Sequence, residues 1–330
     1  MKFGPVPLDQ AEGAILAHSL RLESGVLKKG TVLGAREIAR LREFGVAMVT
    51  VARLGPEDVS EDEAARRIGG RLLGPGLKLG EAFTGRSNLL AEGAGVVRVD
   101  AAAVARANGV DEGLTLATLP DLMAVTPGQL VATVKVIPYG VPAASVDGVV
   151  DALGEGAIRF CPFQGGRVQL VMTRTPGFKE SLLDKGREVV AARADALGYE
   201  LSDVAITAHE EGAVASVLDP NHDLILILGA SATSDRADVA PAAVVAAGGR
   251  IDRFGMPVDP GNLIFLGALE GTPVVGLPGC ARSPALNGVD WVLERLSARI
   301  PVDGAAIAAM GVGGLLKEMP GRPQPRQPKG

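Results

Sequence analysis

The chain has 330 residues, of which 47% are hydrophobic and 22% charged, with a formal net charge of −5. That balance supplies core material for two or three folded domains, and an aromatic content of 3% excludes a base-stacking platform for nucleic acid and demands an aliphatic core. The acidic charge gives no field to attract nucleic acid, no apolar run approaches spanning length, and the opening MKFGPVPLDQ has no apolar signal core; a cytoplasmic protein without membrane or nucleic-acid partners is expected.

The first predicted unit is small and mixed α/β, residues 1–74. Leu8, Ala11, Ile15 and Leu16 lead from helix into strand. Residues 35–44 read as a helix with Ile38 and Leu41 inward, stopped by Gly45, and residues 47–52 as a strand. Ser60-Glu61-Asp62-Glu63 fits a capping box, opening a helix to about Leu72 with Ala64, Ile68 and Leu72 on one side. Residues 75–155 read as β-rich. Thr84 to Asn88 is a polar turn whose Arg86 either clamps an oxyanion or ties down the turn. Residues 96–99 and 131–137 read as strands, 101–107 and 146–153 as helices.

The main α/β domain is expected over residues 156–318, with a flexible Pro-rich tail at 319–330. Its first strand covers residues 167–173, a helix 185–197 ends at Gly198, and a strand runs over 199–208. His209 stands at that strand's end beside Glu210 and Glu211, where it is either a general base or a surface histidine. Leu224 to Leu228 is a short apolar run that suits a strand buried on both faces. A loop of small polar residues follows, Gly229-Ala230-Ser231-Ala232-Thr233-Ser234-Asp235. Then comes a helix with Asp235 or Asp238 as N-cap, Val239, Ala242, Ala243 and Ala246 inward, and Gly248-Gly249 as its end. Further on, two apolar runs, 262–266 and 273–277, lead to a second turn, Pro278-Gly279-Cys280-Ala281-Arg282, with Ser283 as N-cap and Pro284 as first residue of another helix. Two strand-turn-helix units thus present free N–H groups, a local geometry suited to phosphate. Cys161 and Cys280 have no metal-type spacing and read as reduced thiols.

The segments GASATSD, VDPGN and GTPVVGLPGCARS stand in the order of the motifs GG-x-S-x-G-D, KPGK and G-x-P-V-x-G-L-P-G-N-P-x-S. Over residues 166–299 the chain resembles the molybdopterin-binding domain shared by molybdopterin molybdotransferases, molybdopterin adenylyltransferases and the competence-damage-inducible proteins. The wording VDPGNL and LPGCARSPALNGVDWVL is similar to a branch in which a molybdotransferase-like region precedes a cytidylyltransferase-like domain.

The resemblance implies a three-layer α/β domain preceded by smaller mixed and β-rich domains, and a place in molybdenum cofactor biosynthesis. It implies a homo-oligomer that binds molybdopterin or its nucleotide form through Gly229, Ala230, Ser231, Thr233, Ser234, Asp235, Pro278, Gly279, Cys280, Ala281, Arg282 and Ser283. Thr173, Asp259, Gly261 and Asn262 take the places of the substrate loops. Asp235 takes the place of the catalytic acid and of a ligand to Mg2+, or else simply caps the helix. The chain departs from the family pattern at Ala230, at Thr173-Arg174-Thr175-Pro176 where the family has TGDE, and at Asp259 and Asn262 where the family has lysines. An acid repels molybdate. Three readings follow: a molybdotransferase-like enzyme, a non-catalytic carrier beside a nucleotidyltransferase, and a nucleotide-hydrolysing enzyme.

Overall fold

The computed structural model describes residues 1–23 and 25–316, and the chain separates into two compact units, Met1–Phe160 and Cys161–Gly330. The expected tail at 319–330 lies outside the described residues. In the first unit, strands Lys2–Pro7 and Ile15–Leu16 flank Met48–Arg53 in an antiparallel sheet, with helix Ala35–Glu43 packing Ile38 and Leu41 into an aliphatic core alongside Leu16, Val49 and Val51. Gly45 follows that helix with φ of +70°, a left-handed stop that a side chain resists.

Helix Glu61–Leu72 starts on Ser60, whose hydroxyl accepts the Glu63 N–H. The reciprocal half of the expected box is not made, because the Glu63 carboxylate binds Arg66 instead. This helix shares one core with the strands that follow: Ala64, Ala65, Ile68 and Leu72 pack with Leu89, Val97 and Val134. The expected division after residue 74 therefore runs between two parts of one core. Strands Leu114–Thr118, Leu130–Val136, Arg86–Ala91 and Leu77–Leu79 form its main sheet, in that order.

The second unit is a three-layer α/β domain. Its elements are β1 (Gly166–Arg174), α1 (Glu180–Ala196), β2 (Tyr199–Ala208), α2 (Glu211–Ala215), β3 (Leu224–Leu228), α3 (Val239–Ala246), β4 (Arg250–Phe254), β5 (Phe265–Leu269), β6 (Thr272–Leu277), α4 (Gly288–Ser297) and α5 (Gly304–Ala309). The sheet order is β2-β1-β3-β6-β5-β4. The first four of these are mutually parallel, and β5 runs antiparallel to both of its neighbours, β6 and β4.

All five residues of β3 are buried, and their alternation explains the layers. Leu224, Leu226 and Leu228 pack with α1, α4 and α5, while Ile225 and Ile227 face α2 and α3. Each such side chain contributes roughly 2 kcal/mol of burial, and a polar residue at any of the five would face a hydrophobic layer whichever way it pointed. The hairpin between β5 and β6 turns at Glu270 and Gly271, with φ of +50° and +95°. Strand β5 begins at Phe265, three residues later than the expected run at 262.

Chain order explains where the sheet opens a crevice. The chain passes from β1 outward to β2, then returns across β1 to β3 on its other side. In an open parallel sheet this reversal opens a crevice at the carboxyl ends of the two strands. Thr173 and Arg174, His209, Gly229 and Pro278 follow the four parallel strands at that edge. The turn at 255–264 joins the same edge, because Phe254 and Gly276 both pair with Phe265.

Candidate functional site

The crevice is assembled around Thr173, the last buried residue of β1 and fully shielded from solvent. Its hydroxyl oxygen accepts the Ala230 N–H at 2.7 Å, tying the loop after β3 to the end of β1. The same hydroxyl lies 2.8 Å from His209 Nδ1, and the other ring nitrogen, Nε2, lies 2.7 Å from Ser231 Oγ. One hydroxyl therefore links three strand ends. His209 is not the detached surface histidine that its acidic neighbours suggested as one alternative.

Beyond Ser231 the loop is unusually open. The backbone amides of Ser231, Ala232 and Thr233 have no hydrogen-bond partner among the described residues. Successive unpaired N–H groups form an anion-binding concavity. The loop's far end is closed by Asp238, which resolves the choice of cap. Its Oδ1 accepts the Val239 N–H at 2.8 Å and its Oδ2 the Ser234 N–H at 3.0 Å. Asp235 instead turns the chain, its Oδ1 accepting the Ala237 N–H at 2.8 Å. The inner face of α3 is Ala240, Ala243 and Val244; of the residues expected inward, only Ala243 is fully buried and Ala246 is exposed.

The second turn is built differently. Gly279–Arg282 is a short 3-10 turn after the buried Pro278, and Cys280 is exposed. Helix α4 begins at Gly288, five residues beyond the Ser283 cap expected from the sequence. Two forces move the start. Asn287 and Asp290 form a reciprocal capping box, with Asn287 Oδ1 accepting the Val289 N–H and Asp290 Oδ2 accepting the Asn287 N–H, each at 2.8 Å. Arg193, reaching across from α1, donates to the carbonyls of Ala281, Ser283 and Ala285 at 2.7, 2.7 and 3.0 Å, and to Asp290 at 2.6 Å. The guanidinium bonds hold residues 281–285 in a path that is not α-helical. Nothing local in the sequence signals Arg193, because its partners lie about ninety residues away.

Arg282 joins the two turns. Its Nη2 donates to the Gly229 carbonyl at 2.7 Å and its guanidinium lies over Phe178, 5.9 Å from the ring centre. Burial depresses its pKa, and its Nε has no partner. This cation is committed to holding the first loop. Beside His209 a cleft of about 460 Å3 is lined by residues 174–178 and 208–210, within the size range of small-ligand sites. A larger cavity of about 680 Å3 in the first unit, among Arg71, Leu73, Glu155 and Phe160, contains no histidine or hydroxyl; volume alone does not select the site.

Thr173, Gly229, Ala230, Ser231 and Arg282 are thus brought together by direct contacts. Asp259, Gly261 and Asn262 are held elsewhere along the edge. The Asp259 N–H donates to Gly314 and its carbonyl accepts from Leu316, while the Pro260 carbonyl accepts the Gly288 N–H at 2.8 Å. Gly261, at φ of +135°, lies so close to Gly288 that a Cβ would sit 2.6 Å from its nitrogen. Asn262 Nδ2 reaches the Met256 carbonyl at 3.5 Å.

A family model described as a domain of unknown function (DUF8806) matches residues 5–53, within the first unit. No curated protein sequence matches the chain. Among solved structures, a molybdopterin biosynthesis MoeA protein from Pyrococcus horikosii is 14% identical, over 90% of this chain and 75% of its own, with a TM-score of 0.31. A molybdenum cofactor biosynthesis protein from Pyrococcus furiosus is 12% identical, over 93% of this chain and 65% of its own, with a TM-score of 0.24. A molybdenum cofactor biosynthesis protein B is 14% identical, over 40% of this chain and 88% of its own, with a TM-score of 0.27.

Proposed function

We propose that the second unit binds molybdopterin, or its nucleotide form, at the crevice between β1 and β3, and acts in molybdenum cofactor biosynthesis. The observation that carries this reading is the run of unpartnered amides at Ser231, Ala232 and Thr233, beside the Ser231 hydroxyl, within the segment whose wording resembles the family's phosphate-binding motif. Amides of this kind hold a phosphate without a cationic side chain, which suits a chain of net charge −5. The pterin would lie toward the second turn, where Gly279 has room at its Cα.

A carrier role is favoured over molybdate insertion. Asp259 and Asn262 offer no cation to an oxyanion. Asp235 gives one carboxylate oxygen to its own turn, and no group of three or more metal-ligating side chains surrounds it among the described residues. A Mg2+ at Asp235 would depend on the ligand's own phosphates and on water for its remaining contacts. The carrier would hand its ligand to a nucleotidyltransferase, and a homo-oligomer fits the same reading.

Calorimetric titration of the full chain with molybdopterin tests this. Gly229→Val is the matched variant, because a Cβ at Gly229 would lie 3.0 Å from the Ser231 carbonyl and 3.7 Å from the His209 ring. Binding by the parent and at least tenfold weaker binding by the variant is expected. Equal binding by both would move the ligand off this loop. Molybdate incorporation lost in Asp235→Ala would overturn the carrier role.

A further inference from the structure

We propose that Thr173, His209 and Ser231 form a one-way donor chain that aims the Ser231 hydroxyl proton at an anionic oxygen of the bound ligand. The inference rests on the reading of the Gly229–Asp235 loop as a phosphate site, and it assigns the histidine a positioning role.

The direction of the chain follows from accounting for Thr173. Its hydroxyl has one proton and an oxygen that accepts. The oxygen accepts the Ala230 N–H, which as a backbone amide can only donate and so offers no acceptor to the Thr173 proton. The residue is fully buried, so water does not reach the hydroxyl proton, and the one acceptor within reach is His209 Nδ1 at 2.8 Å. A buried hydroxyl proton without an acceptor is costly, on the order of 1–3 kcal/mol. The Thr173 O–H therefore donates to Nδ1, and the neutral ring carries its proton on Nε2. That N–H donates to Ser231 Oγ at 2.7 Å. Ser231 Oγ, receiving the Nε2 proton, keeps its own proton to donate to a ligand at this loop. Each bond polarises the next in the same sense, which strengthens the terminal donor.

The arrangement superficially matches a hydrolase, since a serine, a histidine and a third hydroxyl lie in line. In that chemistry the ring nitrogen facing the serine must accept the serine's proton. Here the buried Thr173 proton, which finds its acceptor at Nδ1, sets the opposite polarity. Ser231 acts as a donor and does not attack, consistent with holding an ester phosphate intact.

The test is 15N NMR of the histidine side chains in the full chain. Only three histidines are present, His18, His209 and His222, and the signals lost in His209→Ala identify the ring. At a pH where it is neutral, His209 is expected with Nε2 protonated and Nδ1 bare. Thr173→Ser should keep that tautomer; Thr173→Val should replace it with a mixture. Titration with inorganic phosphate should give similar affinity for the parent and Thr173→Ser, and about five- to tenfold weaker binding for Thr173→Val and His209→Ala. A proton on Nδ1 in the parent would overturn the proposal without recourse to any variant, and so would a Thr173→Val protein whose tautomer is unchanged. The expected tautomer with no response to phosphate would sustain the donor chain and remove the phosphate reading beneath it.

Discussion

The loop after β3 and the turn after β6 look alike in sequence, each a strand, a run of small residues and a helix, and the structure makes them opposites. In the first, the carbonyl of Gly229 is held by Arg282 and the next amides are left open. In the second, three carbonyls are captured by Arg193 and the helix start is moved to Gly288. One segment is held at its ends and receptive in the middle. The other is held by its carbonyls from Ala281 to Ala285. The difference comes from two arginines, one on a distant helix, rather than from the small residues that the two segments share.

Removing the clamp is the strongest way to break that contrast. Arg193 and Asp290 are largely buried, with side chains 11% and 16% exposed, and Arg193→Met leaves Asp290 without its cation and three carbonyls without their donor. Loss of one partner from a buried pair of this kind costs about 3–5 kcal/mol. Urea unfolding should show a loss of that size for the second unit, with the amide signals of residues 279–287 broadened in the native state. A change within error would mean that the clamp is not what fixes the turn.

A second, smaller effect comes from the helix behind the clamp. Burial, helped by the nearby Asp290 carboxylate and opposed by Arg295, raises the Glu294 pKa to about 7. The folded state therefore holds this proton more tightly than the unfolded chain does. The stabilisation is fully present below the ordinary value of 4.5 and is lost as pH rises through about 7. Glu294→Gln should be more stable than the parent by roughly 2–3 kcal/mol above that pH and nearly equal to it in mild acid. Unfolding curves for the two proteins at about pH 5 and about pH 8 check this; a pH-independent difference would remove the ionisation from the account.

The smallest expected change in stability lies at the link between the two segments. Arg282→Met keeps bulk against Phe178 and gives up the bond to the Gly229 carbonyl. Since the Arg282 Nε is buried without a partner, the stability lost should be only about 1 kcal/mol. Affinity for inorganic phosphate should fall more noticeably, about tenfold, because the loop would lose its anchor. Unchanged affinity would separate Arg282 from the site.

Much of the second unit is legible in the sequence because its signals are local. The five aliphatic residues of β3 read as a strand buried on both faces, and every one is buried. Tyr199–Ala208 has the predicted bounds. The glycine pair after α3 ends the helix where it should, Gly248 taking φ of +92°. The misreadings arise where a distant group overrides a local rule. Ser283 and Pro284 satisfy the usual preferences for a helix start, yet Arg193 holds the Ser283 and Ala285 carbonyls in a non-helical path and Asn287 takes the cap. His209 read as a general base or a surface histidine, and its bonded partners, Thr173 and Ser231, stand 36 and 22 residues away where no local pattern signals them. The motif located the loop, and the tertiary contacts decide which of its groups are open.

Amide chemical-shift mapping of the full chain with inorganic pyrophosphate tests the central claim most directly, because it interrogates both segments in one experiment. The largest shifts are expected at Ser231, Ala232 and Thr233, with only minor ones at Gly279 to Ser283. Shifts concentrated on the second turn, or absent from both segments, would contradict the assignment of the crevice between β1 and β3 as the ligand site.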